Sequence, residues 1–208
     1  MKKTTILLTI GIIALLAGCK KKDDNNATPS NSNPPSNVIT INSTPQFTGT
    51  INGTGYSLVE GNTYSSGVSS NKQIGSPSKA SYASLIGNDN TNQPYLTINK
   101  GMMSFNGSMP DTASFDAFFP GGSYTYSINH VSGIEIDWID PNGNQYSTSM
   151  GTGNQSSSAF TVTAKHVSMV SGYYQVKILA TFNCTLYNSS GGSIILTNGT
   201  YVGSFEND

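Results

Sequence analysis

An antiparallel all-β body is what the residue pattern specifies, a β-sandwich with a β-barrel as the alternative. Three observations carry this reading. Apolar residues recur with period two wherever a run is long enough to measure. Gly, Ser, Thr and Asn make up 96 of the 208 residues, so turn formers punctuate the chain and strong helix formers are scarce. No window of eleven residues after Gly18 carries an apolar stripe at helical spacing. Hydrophobic residues at 36% and aromatics at 10% supply a core, which excludes disorder throughout. Charged residues are 10%, the formal net charge is −1, and all ten basic residues are lysines. Without a basic excess or a guanidinium, no nucleic-acid partner is expected.

Residues 1–18 read as a signal peptide. Lys2 and Lys3 form a cationic start, and Ile6 to Ala17 form an apolar run interrupted by Thr9 and Gly11. That run is too short for a bilayer core, which needs ~20 residues. It ends in Leu16-Ala17-Gly18-Cys19, which resembles a bacterial lipobox. The resemblance implies cleavage before Cys19, diacylglycerol on its thiol and acylation of the new amine. Each buried CH₂ contributes about 0.8 kcal/mol, so two or three acyl chains hold a protein at a membrane without a spanning helix. Lys20-Lys21-Lys22-Asp23-Asp24 resembles the surface-export signal of Bacteroidota lipoproteins; the alternative is a solvated charge run beside the headgroups. The expected location is the outer membrane, lipid-anchored, at the cell surface or alternatively on the periplasmic face. Residues 19–37 form the lipidated end and a tether. Asn25 to Asn37 holds three prolines and no large apolar residue, so it is expected to be a disordered spacer. Its 18 residues from Lys20 span roughly 23 Å as a flexible coil.

Residues 38–208 form the single folded domain. Phe47 to Ile51 and Tyr56 to Val59 flank Asn52-Gly53, a pair that tolerates positive φ and marks a hairpin. Tyr82 to Ile86 is a short strand. Leu96 and Ile98 lead to Asn99-Lys100-Gly101 and then Met103 and Phe105, which reads as a second hairpin. Tyr124, Tyr126 and Ile128 form one alternating set, and Ile134, Ile136 and Trp138 form the next, followed by the turn Asp140-Pro141-Asn142-Gly143. Phe160, Val162 and Ala164 alternate with Thr161, Thr163 and Lys165. The longest strand is Tyr173 to Tyr187, with Val176, Ile178, Ala180, Phe182, Cys184 and Leu186 on one face. Ile194 to Leu196 and Thr200 to Phe205 complete about nine to eleven strands. Cys184 reads as a buried, inert thiol. With Cys19 taken by lipid, no intrachain disulfide is expected.

The chemistry-bearing residues signal no catalytic constellation. His130 lies in a turn, and His166 extends the row Phe160, Val162, Ala164; neither has a metal-ligand partner at useful spacing, so no metal and no cofactor is expected. Asn88-Asp89-Asn90 lacks the order of a calcium loop. Ser76-Pro77-Ser78-Lys79 has Ser-x-x-Lys spacing in a loop setting. Glu135 and Asp137 share a strand face at about 6.5–7 Å between Cα atoms, with Asp140 beyond. Glycosidases place two carboxyl groups roughly 5–9.5 Å apart, yet across a cleft. Side by side on an amphipathic strand, these acids read as a solvated face. Tyrosines at Tyr56, Tyr64, Tyr82, Tyr95, Tyr146 and Tyr173 could stack on sugar rings, and Tyr56, Tyr95 and Tyr146 are carried forward as the binding surface. Asp111-Thr112-Ala113 resembles the O-glycosylation motif of exported Bacteroidota proteins, which implies a glycan on Thr112 in an exposed loop.

The lipobox, the Lys/Asp run, the Pro-Asn-Ser tether and the closing Ile195 to Tyr201 stretch together resemble the small β-rich lipoproteins common in Bacteroidota. That resemblance implies location more than activity. The leading expectation is a non-enzymatic surface module that binds a glycan or a protein partner. The alternatives are a β-sandwich hydrolase acting on glycans through Glu135 or Asp137, and a structural envelope-assembly lipoprotein.

Overall fold

The computed structural model describes residues 38–88, 93–127 and 131–208. The signal peptide, Cys19, the export run, the tether, Asp89, Ile128 and His130 lie outside the described residues. The described part of the chain holds eleven strands and one short helix. In order they are β1 (Gln46–Ile51), β2 (Thr54–Val59), β3 (Ser65–Gln73), β4 (Ser78–Gly87), β5 (Tyr95–Phe105), α1 (Thr112–Phe118), β6 (Gly122–Tyr124), β7 (Ile134–Ile139), β8 (Gln145–Ser147), β9 (Ala159–Val170), β10 (Tyr173–Tyr187) and β11 (Ser193–Asn207).

The named strands pair antiparallel in the order β2-β1-β11-β10-β8-β7-β5-β4-β3, with β9 bonded to β10 and β6 to β9. The all-β expectation therefore holds, as one sheet curled into a half-barrel. Its curl brings β4 opposite β11: Ser84 and Tyr201 share a buried hydroxyl hydrogen bond of 2.7 Å, and the Tyr82 hydroxyl donates to Asn207 at 3.4 Å. Between these walls lies an aromatic core. Phe182 stacks on Phe47 and Phe160, and Phe47 also meets Trp138 at 6.0 Å. β10 supplies Val176, Ile178, Ala180, Phe182, Cys184 and Leu186 to it, matching the period-two reading.

The Asn52-Gly53 hairpin forms, with φ of 49° and 83° at the two turn residues. The second expected hairpin does not. Asn99-Lys100-Gly101 lies inside β5, which runs unbroken for 11 residues. Ala80 opposes Met103 and Tyr82 opposes Lys100, so Gly101 and Met102 together face Ser81 in a bulge. A bulge uses the same residue types as a turn but leaves the strand direction unchanged. Likewise Ile194 to Leu196 and Thr200 to Phe205 are parts of one strand, β11, with Asn198 at φ 54° where the register slips. β3 and β8 have no counterpart in the apolar pattern, because β3 is mostly Ser, Gly, Asn and Lys and β8 is three residues long. Of the Tyr124, Tyr126, Ile128 set, Ile128 lies outside the described residues, Tyr124 lies in a strand and Tyr126 makes an isolated bridge to Ile134.

Helix α1 was hidden from an eleven-residue window by its seven residues. Asp111 caps it, accepting from Ser114 N and Ser114 Oγ at 2.8 Å each. These bonds hold the Asp111 carboxyl below its ordinary pKa. Thr112 is thus an exposed first helical residue rather than a loop residue. Phe115 and Phe119 from this segment pack on Tyr82 at 4.9 Å and Phe205 at 4.6 Å. Lys165 on β9 pairs with Asp116 at 2.7 Å and fastens the helix.

The bulge at Gly101 yields a stability prediction. A Cβ there would stand 2.7 Å from backbone atoms of Ser132, whereas one at Gly55 on β2 meets nothing within 4 Å. Gly101→Ala should therefore lower unfolding free energy by about 2 kcal/mol, through forced backbone displacement. Gly55→Ala should stay within about 0.5 kcal/mol of wild type. Urea titration of both variants checks this.

Candidate functional site

The outer face of β3, β4, β5 and β7 carries polar residues in cross-strand register. Ser69 opposes Ala83, Ala83 opposes Asn99, and Asn99 opposes Glu135. In the next row Thr97 opposes Asp137, which opposes Ser147 on β8. The returning chain at 131–133 crosses one end of this face, bonded through Gly101 N to Gly133 O and Met102 N to Val131 O, both 3.0 Å. Over this face lies a cavity of about 330 Å³, lined among others by Ser69, Asn71, Ser81, Asn99, Glu135 and Asp137. A second depression of about 440 Å³ adjoins it. It shares Glu135 and Asp137 and continues over Tyr95, Thr97, Gln145, Tyr146 and Ser149.

The two acids are therefore not solvated side chains on an open face, which corrects the sequence expectation. Glu135 is only 3% exposed. Ser147 Oγ donates to it at 2.9 Å and Ser149 Oγ donates to the same oxygen. Asp137 is half-buried and accepts from Asn99 Nδ2 at 2.6 Å. The cause is the chain beyond β7: Thr148 bonds the Ile136 backbone in both directions, Oγ1 from Ile136 N and N to Ile136 O, each 3.0 Å. That clamp carries Ser147 and Ser149 over Glu135. The donors fix both carboxyl groups in place as hydrogen-bond acceptors.

Lys100 lies on the other side of the sheet. It follows Leu96 and Ile98 on the core-facing row and is 8% exposed. Its Nζ stands 4.0 Å from the centroid of the Phe118 ring and 5.3 Å from that of Tyr124. Burial lowers its pKa from 10.5 to about 8. No ion pair holds it among the described residues.

The tyrosine candidates separate. Tyr95 stands on the outer face, its ring so close over Gly87 that a Cβ there would sit 2.1 Å from Tyr95 Cδ2. Tyr146 borders the same depression while its ring packs on the core beside Trp138, its register partner. Tyr56 belongs elsewhere: it meets Trp138 edge-on at 4.9 Å, half-buried against the core. Tyr82 is buried and its pKa is pushed up to about 12, by burial and then by Asp208. His166 faces solvent, because Thr163 is an extra residue in β9 that reverses the alternation expected from Phe160 and Val162. Cys184 is buried and free, its thiol pushed up to about 12 by burial. Asp140 is a turn residue, accepting from Asn142 N and Asn144 N at 2.8 and 2.9 Å. Among the described residues no three His, Cys, Asp or Glu side chains gather at metal-binding range.

A third, open depression of about 560 Å³ lies over β9, β10 and β11. Thr161, Thr181 and Thr200 cross it in register. It offers threonine hydroxyls and the Asn183 and Asn198 amides, without a charged group or an exposed ring. The residues that sequence reasoning missed are Ser69, Asn71, Ser81, Asn99, Ser147 and Ser149. Each is an ordinary polar residue whose significance comes from cross-strand neighbours. No protein family, curated protein or solved structure matches this chain.

The buried lysine gives the pH behaviour a definite sign. Between pH 8 and about 10.5 the unfolded chain keeps a proton that folded Lys100 has released, so this group makes stability rise with pH, by up to about 3 kcal/mol in all. Lys100→Met removes that contribution while keeping the side chain's length against Phe118 and Tyr124. The variant should be the more stable protein at pH 7, and its advantage should shrink as pH rises past 8. Denaturant unfolding of both chains at pH 7, 8 and 9 measures the gap.

Proposed function

We propose that this chain is a lipid-anchored envelope protein whose β domain binds a glycan in the polar groove over β3, β4, β5 and β7. The observation that carries the binding half is the pair of adjoining depressions that share Glu135 and Asp137. Sugars present rows of hydroxyl donors on a ring with apolar faces. The groove answers the donors with carboxylate and amide oxygens, and its Tyr95 end supplies an aromatic ring beside them. Bonds from Asn99, Ser147 and Ser149 hold the acceptors in place before a ligand arrives, which lowers the ordering cost of binding. A protein partner fits this face less well. Interface centres are apolar, and the large exposed hydrophobics are not gathered at the groove: Met169, Val170 and Tyr173 sit together at the β9–β10 hairpin, and Ile74, Met109 and Ile195 lie on other segments.

Binding is favoured over hydrolysis by the placement of the acids. A glycosidase flanks the scissile bond with its two carboxyl groups. Glu135 and Asp137 are two residues apart on one strand and stand on the same wall. The anchoring half rests on Leu16-Ala17-Gly18-Cys19 and the charge run that follows it.

Two measurements test the proposal. Purified full chain, immobilised and exposed to a polysaccharide panel, should bind at least one member. Asn99→Ala should weaken that binding tenfold or more, while Thr181→Ala, on the outer face over β10, should leave it unchanged. Binding that ignores Asn99, or no binding at all, sinks the glycan reading. For the anchor, intact mass of the protein from a diderm bacterial host should show a chain beginning at an acylated Cys19, and Cys19→Ser should abolish the added mass.

A further inference from the structure

We propose that the end of the half-barrel filled by α1 is a membrane-docking face, which sets its exposed apolar tips into the interfacial layer of the phospholipid bilayer that carries the anchor. This rests on the acylated Cys19 of the proposed function and adds which face of the domain the bilayer takes.

Three segments far apart in sequence bring exposed apolar side chains to this end. β11 finishes there, with Asn207 opposite Tyr174 on β10. The β9–β10 hairpin turns just beyond, through Ser171 and Gly172 at φ 53° and 89°, so Val170 and Tyr173 are its last opposed pair. Met169 is 63% exposed, and Val170 and Tyr173 are exposed beside it. Tyr82 bonds Asn207 while Ser84 bonds Tyr201, so β4 begins past the end of β11, and the β3–β4 turn puts Ile74, 65% exposed, at the same end. Asn207 Nδ2 donates to the Pro110 carbonyl at 3.0 Å, which holds exposed Met109 there too. Phe115 of α1 lies 4.9 Å from the Tyr82 ring and 6.0 Å from that of Tyr174, so the helix fills the space between these segments.

The chain that leads from Cys19 joins the domain at this end. The Ser43 carbonyl accepts from Lys177 Nζ at 2.8 Å, and Lys177 opposes Ser204 near the finish of β11. From there β1 runs away from the tips, with Gln46 opposite Val202 and Ile51 opposite Leu196. Residues 20–37, expected from the sequence to be a flexible spacer, keep the domain near the anchoring bilayer, so that even a weak contact is populated.

The form of the end favours a fluid partner. Its apolar side chains come from separate turns set around a helix, and a rigid protein would need a matched pocket for each. A bilayer interface closes around every tip and still hydrates the turn backbone. Tyrosine settles at headgroup depth with its ring against the acyl boundary. Charges of both signs stand here: Lys72 and Lys79 flank Ile74, and Glu206 and Asp208 lie at the finish of β11. The contact is therefore mainly apolar and should persist in high salt. This orientation also turns the Tyr95 end of the groove away from the bilayer, since Phe105 at the other end of β5 opposes Ser78 beside the docked turn.

The experiment uses the acylated full chain in vesicles of phosphatidylethanolamine and phosphatidylglycerol. Met169→Cys, Ile74→Cys and Ile195→Cys each carry a polarity-sensitive fluorophore; Cys184 is buried and is not labelled in the folded chain. All three sites are exposed, and circular dichroism checks that each variant is folded. On vesicles, emission at Met169→Cys and Ile74→Cys should shift to the blue by about 10 nm, and headgroup-attached nitroxide lipids should quench it roughly twofold, in low and high salt alike. Ile195→Cys, at the far end of β11, should show neither change. Tips that stay water-exposed on a chain that floats with the vesicles overturn the docking and leave the anchor standing. A shift that vanishes when protein is diluted in the bilayer assigns the end to a second copy of the chain and overturns it as well. If intact mass shows no acyl group on Cys19, the anchor reading falls and takes the inference with it.

Discussion

Ser84 and Tyr201 meet at 2.7 Å in a fully buried hydrogen bond, although their strands stand five places apart in the sheet order. That contact records the closure on which the molecule depends. A single antiparallel sheet has two faces and can bury one of them only by covering it. Here the sheet covers itself, bringing β3 and β4 across to β11 so that Phe47, Trp138, Phe160 and Phe182 pack inside. Tyr201 is pinned by burial on one side and by Ser84 on the other; burial drives its pKa upward, and the Ser84 bond opposes that shift only in part. Helix α1 follows from the same need. A half-barrel has an open end, and Phe115 and Phe119 supply apolar surface against Tyr82 and Phe205.

Closure requires local bends, and the bends decide which residues face outward. The extra residue at Gly101 lets β5 turn against β4 while Ser132 packs on it. The extra residue at Thr163 exchanges the two faces of β9, so that His166 points out and Val167 packs inward. Each insertion reverses every following side chain, because the strand period is two. Runs without an insertion were legible from residue types alone: the β10 row is buried at Val176, Ile178, Ala180, Phe182, Cys184 and Leu186. Runs with one were not. Asn-Lys-Gly serves a hairpin turn and a bulge equally well, and only the opposing strand decides between them. β3 was invisible for a different reason. Its partner β4 and the curl of the sheet hold it in place, and its own apolar content is little more than Val68.

The groove shows the same division. That Glu135 and Asp137 share a face is a property of one strand, and it could be read from two residues of spacing. That the face is a cleft is a property of several segments, since its lining comes from β3, β4, β5, β7 and the chain at Ser149. Tyr95 and Tyr56 looked alike as tyrosines on alternating strands. One lies across Gly87 on the outer face, and the other is edge-on to Trp138, a difference set by strand order alone.

The two faces also separate the polar groove from the aromatic interior. Asn99 and Lys100 are consecutive, yet Asn99 holds an outer-face carboxylate and Lys100 sits on the core side over Phe118. Substitution at Asn99 removes a hydrogen bond at the surface of the sheet and leaves the aromatic packing untouched. Substitution at Lys100 alters the charge and solvation of the interior. A buried ammonium held by aromatic rings, with no described carboxylate paired to it, costs folding free energy near neutral pH, since desolvation outweighs what the rings return. The chain thus carries its least favourable buried group directly behind the polar face, separated from Asp137 and Glu135 by one layer of backbone. The alternation of a single strand is enough to keep an acceptor-lined outer surface and a desolvated cation on the core side one residue apart.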